Sequence, residues 1–166
     1  MKYSRPTINI EIYEIFGSDK EMMWNLFKKH HYLADNLNKA ARCFIAKWEN
    51  KIIGFESILP LPSGTLKRAF REHRLVILSD FQGLGIGNTL SETIAEIYIS
   101  EGKRFFSKRA NRKLGDYRDT SLKWKATATN HKNRETQNDK SLLTSKMVNK
   151  SLNWRICYSH EYIGKK

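Results

Sequence analysis

Only two cysteines, Cys43 and Cys157, occur in the 166 residues. Both lie in strand-like stretches and neither has metal-ligand spacing, so the expectation is two buried thiols in a reducing cytoplasm and no metal site. No apolar run approaches the roughly 18 residues that a membrane span needs. The opening stretch "MKYSRPTINIEIYEIF" alternates polar and apolar residues instead of holding the apolar centre of a signal peptide. Internal repeats are missing, and hydrophobic residues at 40% are plentiful enough for a real core, which excludes a disordered chain. The other scarcity is of negative charge: 17 Asp+Glu stand against 30 Lys+Arg, a net +13. That shortage is local. Residues 1–102 carry 13 basic and 12 acidic side chains, whereas residues 103–166 carry 17 and 5, a net +12. A field concentrated in one third of a chain attracts polyanions or acidic partners, an anionic cofactor among them.

Periodicity supplies the elements. "TINIEIYEI" (Thr7–Ile15) alternates with period two and predicts a first strand. A helix follows, capped by Ser18 or Asp19, with Met22, Met23, Leu26 and Phe27 on its apolar face. Cys43–Trp48 and Ile52–Leu59 form two strands joined by a tight turn at Glu49–Lys51, the second closed by Pro60 and Pro62. "SGTLKRAFREH" is expected as a short, helix-like connection and "RLVILSDF" as a buried strand. A helix from Asn88 to Gly102 and a strand over "KRFFSKRAN" come next. "RKLGDYRDTSLKWKATA" holds a short helix, Thr129–Ser141 is an exposed polar loop, and "NWRICYSHEYIG" is a last strand. The order implies one mixed α/β (α+β) domain over residues 1–166, with a largely antiparallel central sheet flanked by helices.

Between the buried strand and its helix stands "SDFQGLGIGNTL", with Gly83, Gly85 and Gly87 at alternate positions. A glycine loop that opens a helix binds anions, because first-turn amides lack internal acceptors and the helix dipole favours negative charge there. A Walker loop needs Gly-Lys-Ser/Thr four residues after its first glycine, and Asn88 stands where that second glycine belongs. The dinucleotide fingerprint needs its third glycine one place beyond Gly87 and an acid on the next strand, which "RFFSKRAN" lacks.

The pattern that fits is Gln82-x-x-Gly85-x-Gly87. With the strand before it and the helix after it, the stretch from roughly Tyr13 to Asn111 resembles the GNAT acyl-coenzyme A transferases. That resemblance implies acetyl-CoA or another acyl-CoA as cofactor. Its pyrophosphate would be held by the loop of Gln82, Gly83, Leu84, Gly85, Ile86, Gly87 and Asn88. A bulge in the strand Leu75, Val76, Ile77 and Leu78 would free backbone groups for the pantetheine arm.

Direct transfer from a thioester to an amine asks for a general base and a general acid, with no metal. The resemblance puts His31 (and, less well placed, His30) on the acceptor-side wall, and a histidine titrates near neutrality. Glu56 lies on a strand facing away from Phe55 and Ser57, which would aim it into the cleft unless that is a solvent face. The family's acid is often a tyrosine after the next strand, which implies Tyr117, with Ser107 as a further candidate.

The stretches "HHYL", "ARCFIAKWENKIIGFESILPLPSG" and "HRLVILSDFQGLGIG" look most like a phage and bacterial subset of these transferases, one that is similar to the Mom-type DNA-modification proteins, which have a GNAT-like fold and modify adenine. This agrees with the basic last third, residues 103–166. Arg104, Lys108, Arg109, Arg112, Lys113, Arg118, Lys123 and Lys125 are the candidate phosphate contacts, and Trp124 or Trp154 the candidate base-stacking ring. Three functions therefore stand: an N-acetyltransferase acting on a protein or small-molecule amine, a GNAT-like base modifier, and a nucleic-acid-binding protein of that fold without catalysis.

Overall fold

The computed structural model describes residues 8–31, 36–133 and 156–164. The chain divides into two compact units, Met1–Phe105 and Phe106–Lys166.

The first unit is an antiparallel sheet of β1 (Glu11–Ile15), β2 (Arg42–Trp48), β3 (Lys51–Pro60) and β4 (Ala69–Ile77), in that spatial order. Thr7 of the expected first strand lies outside the described residues. The β2–β3 hairpin turns on Glu49 and Asn50, both with positive φ (46° and 65°). That pair of conformations matches the right-handed twist of the strands it joins.

Cys43, Phe55 and Val76 line one sheet face. There they pack with Trp24 and Phe27 of α1 (Asp19–Phe27), whose last turn tightens into a 3₁₀ turn at Lys28–His30. Phe44, Glu56 and Leu75 are in register on the opposite face. α2 (Ile86–Ser100) covers that face closely, because a Cβ on Gly54 would lie 3.5 Å from Leu90 Cδ2.

Two expectations change here. "KRAFREH" is not a helix-like connection: β4 already begins at Ala69, since its ladder to β3 outweighs local preference. α2 starts at Ile86 rather than Asn88, because Gly85 in the left-handed region (φ 82°) begins it. It ends as expected, with Gly102 at φ 68° donating its N–H to Ile99 O at 2.8 Å.

β5 (Arg104–Arg109) leads into the second unit, which holds α3 (Arg112–Thr120), β6 (Trp124–Ala126), β7 (Lys132–Asn133) and β8 (Ile156–Tyr162). β8 lies between β5 and β6 and also pairs with β7. The expected short helix is therefore α3, started by the Asn111 side chain accepting from Leu114 N at 3.2 Å, and "WKA" after it is a strand. The polar loop is described to residue 133, where β7 occupies part of it; residues 134–141 lie outside the described residues.

Asp119 ties this unit together. Its Oδ1 accepts from Asn130 Nδ2 at 2.8 Å and meets buried His160 Nε2 at 2.8 Å, while Oδ2 meets His131 Nε2 at 2.7 Å. Burial alone would push the Asp119 carboxyl up, but hydrogen bonds from Asn130, His131 and His160 together hold it below the usual carboxylate range. Burial lowers the His160 imidazole below the usual histidine range despite Asp119 beside it. A histidine depressed in the folded state stabilises the fold above its unfolded pKa, and that stability is lost as pH falls through the folded value. Urea midpoints are therefore expected to decline as pH drops from the ordinary histidine range, and His160→Gln is expected to flatten that decline. Equal slopes for parent and variant would remove His160 as the cause.

Candidate functional site

Strand β4 delivers the chain to the glycine loop. Its register against β3 pairs Ser57 with Arg74 but Ile58 with Glu72, so His73 is the extra residue of a β-bulge. The bulge thus sits just upstream of the expected stretch. Leu75, Val76 and Ile77 pair regularly with Glu56, Phe55 and Gly54, and Leu78 N donates to Ile53 O at 2.9 Å. His73 was missed because a bulge belongs to the register of two strands. The signal in one strand is the polar run Arg71–Arg74, which breaks the alternation.

After β4 a 3₁₀ turn, Ser79–Phe81, folds back: Phe81 N donates to Leu78 O at 2.9 Å and Gln82 N to Ser79 O at 3.2 Å. The Gln82 side-chain amide donates to Ile77 O at 2.8 Å. Gln82 thus pins the strand to the loop, and its main-chain N–H is already used. Of the expected loop, the amides from Gly83 to Asn88 are left to meet a ligand.

Gly83 (φ 83°) and Gly85 (φ 82°) both take the left-handed conformation that an L side chain rarely adopts, and a Cβ on either would meet no atom within 4 Å. Leu84 between them is exposed. No side chain caps α2, so by helix geometry the N–H groups of Ile86, Gly87 and Asn88 lack an acceptor within the helix. Thr89 N is the first to be satisfied, by Gly85 O at 3.1 Å. Open space, unspent amides and the positive end of a 15-residue helix fit a phosphate-bearing ligand.

The candidate acid–base residues do not all converge. Glu56 is fully buried in the interior strand β3, with both carboxylate oxygens sealed from solvent on the face that α2 covers. The solvent-face alternative is thereby excluded. His31 follows the 3₁₀ turn, half-buried, with its ring edge-on to Trp24 at 5.8 Å between centroids. Trp24 packs on Phe55, so His31 belongs to the opposite sheet face from Glu56. His30 is exposed. In the second unit Tyr117 is 38% exposed on α3, whereas buried Ser107 accepts from Arg118 and, at 3.2 Å, from Arg109 Nε.

The basic candidates divide in the same way. Arg118 is corrected: only 1% of it is exposed, and its guanidinium stacks 3.9 Å from the centroid of Trp124. Trp124 is itself buried and packs edge-on against Tyr162, so neither residue is presented to a nucleic acid. Trp154 lies outside the described residues. Arg104, Lys108, Arg112, Lys113 and Lys125 are exposed, and Arg109 and Lys123 half-buried. Arg112 is partly neutralised by Asp116 at 3.3 Å.

Cys43 and Cys157 are free and buried, as expected, and burial pushes the Cys43 thiol up to about 11. Among the described residues no His, Cys, Asp and Glu group could hold a metal, and no helix is long and apolar enough to cross a membrane.

Residues 9–113 match the family model described as the acetyltransferase (GNAT) family. No curated protein matches the chain by sequence. Solved structures do match by fold. A GNAT family acetyltransferase from Elizabethkingia anophelis with acetyl-CoA bound aligns over 93% of this chain and 97% of its own, at TM-score 0.58 and 16% identity. The ribosomal-protein-S18-alanine N-acetyltransferase of Escherichia coli aligns over 95% and 96%, at TM-score 0.63 and 11% identity. A Bacillus subtilis acetyltransferase in complex with CoA aligns over 94% and 98%, at TM-score 0.58 and 13% identity.

Proposed function

This chain belongs to the acetyltransferase (GNAT) family, and from that premise we propose that it is an acyl-CoA-dependent N-acyltransferase that passes an acetyl group to an amine by direct attack, in the cytoplasm. The observation that carries the reading is the open cradle of Gly83–Asn88 at the start of α2. Bound there, acetyl-CoA supplies an already activated thioester. The amides of the cradle hold its pyrophosphate. The bulge at His73 leaves main-chain groups of β4 outside the ladder, and these could polarise the thioester carbonyl.

His31 is the better base of the two candidates, because a base must touch the amine and the Glu56 oxygens are enclosed. Its imidazole takes the proton that the attacking amine loses. The Tyr117 hydroxyl gives a proton to the departing sulfur. The basic residues 103–166 are the part we assign to the acceptor.

Calorimetric titration with acetyl-CoA tests the reading. The parent is expected to bind. Gly85→Glu puts a side chain at φ 82° and a carboxylate beside the cradle, and is expected to weaken binding about thirtyfold or more. A parent that fails to bind would overturn the proposal.

A second reading is favoured by the net +12 of residues 103–166: the acceptor is a nucleic-acid base, adenine in the Mom-type manner, or the chain binds nucleic acid without catalysis. Duplex DNA binding that falls steeply with added salt would support it. Acetyl transfer to that DNA would then separate the modifier from the plain binder.

A further inference from the structure

Beside the glycine loop stands a small group that phosphate binding by amides does not use. Phe81, one residue before Gln82, packs edge-to-face with Trp48 from the end of β2, 5.6 Å between centroids and 84° between planes. The ammonium of Lys51, at the start of β3, lies 5.1 Å from the centroid of the same ring. Both rings are half-buried and Lys51 is exposed. Among the described residues no carboxylate is paired with Lys51. Exposed Asp80, in the turn that carries Phe81, and Glu49, in the hairpin turn, are the acids nearest in sequence. An anion approaching the cradle from this side meets their repulsion unless a cation offsets it.

We propose that Lys51, Phe81 and Trp48 form a subsite for the nucleotide end of CoA, in which Lys51 selects its 3′-phosphate and the outer surface of the ring pair carries its adenine. This rests on the acyl-CoA reading and adds the part of the cofactor that this chain discriminates. The chemistry matches the ligand class. A purine offers a π-face to aromatic side chains, and a phosphate monoester offers a doubly charged acceptor to an ammonium. Lys51 is poised for this task because the Phe81 ring supports it without neutralising it. The cluster is also continuous in sequence with the amides that would hold the pyrophosphate, so one ligand can span both.

Three ligands separate the contributions by calorimetry: CoA, 3′-dephospho-CoA and 4′-phosphopantetheine. The parent is expected to bind CoA about tenfold more tightly than dephospho-CoA. Lys51→Ala is expected to erase that difference by weakening CoA alone, and Lys51→Glu to reverse it. Phe81→Leu is expected to weaken CoA and dephospho-CoA alike and to leave phosphopantetheine unchanged. Lys67→Ala, an exposed lysine elsewhere in the same unit, is the control and is expected to change nothing. A parent that binds CoA and dephospho-CoA equally, or a Lys51→Ala chain that keeps the parent's preference, overturns the subsite while leaving the acyl-CoA reading intact. A parent that binds none of the three overturns both.

Discussion

Gly115→Ala is expected to cost about 3 kcal/mol of stability, roughly 10 °C in Tm, and to shift the urea midpoint accordingly. Helix propensity alone predicts the opposite sign. Gly115 lies inside α3, where alanine gains about 1 kcal/mol over glycine. Packing reverses the sign. A Cβ at that position would overlap Cγ, Cδ1 and Cδ2 of Tyr158. These atoms are the root of a ring fixed on β8, not the end of a flexible side chain, so helix and strand must separate.

Tyr158 in turn carries His131 edge-on at 5.1 Å, and α3 carries Asp119, so the separation would reach the hydrogen bonds that Asp119 makes to Asn130, His131 and His160. Gly87→Ala is the control for propensity. Gly87 is also inside a helix, but its Cβ would meet Ile77 Cγ1 at an ordinary 3.5 Å. That variant is expected to hold or gain stability. If Gly115→Ala is also neutral or stabilising, the close approach of α3 to β8 is wrong.

The same contrast explains what the sequence made legible. Period-two alternation found β1, β2 and β3, and the glycines marked the left-handed turn that opens α2, because both are local patterns fixed by backbone geometry. Pairing between distant segments is not local. The bulge at His73 exists only in the register of β4 on β3. Likewise β6 is three residues whose partners, Tyr162, Glu161 and His160, lie 34 or more positions away. Charge misled in a related way. Arg118 counts as one of the basic residues of the last third, yet its guanidinium is spent on Trp124 and Ser107 in the interior. Composition gives the sign of a surface field but not which cations reach the surface. Alternation did place Glu56 on the face away from Phe55, but it could not tell that α2 would close over that face.

His31 and Glu56 provide the decisive functional comparison, because they sit on opposite faces of one sheet. With a saturating amine acceptor and thiol release from acetyl-CoA as the readout, His31→Ala is expected to lower kcat about 10²- to 10⁴-fold, the usual contribution of a general base. Its acetyl-CoA Kd should stay near that of the parent, since the cradle begins at Gly83, beyond β4. A base acts only when unprotonated, so kcat/KM of the parent should fall on the acid side and that limb should vanish in His31→Ala. Added imidazole should restore part of the rate, which a merely structural loss beside Trp24 would not allow. Glu56→Gln keeps the shape of a fully enclosed side chain and is expected to leave kcat within about threefold. The reverse result, a large loss for Glu56→Gln with a small one for His31→Ala, would move the chemistry to the face beneath α2. It would also require that face to open, because no amine can reach those oxygens while they are sealed.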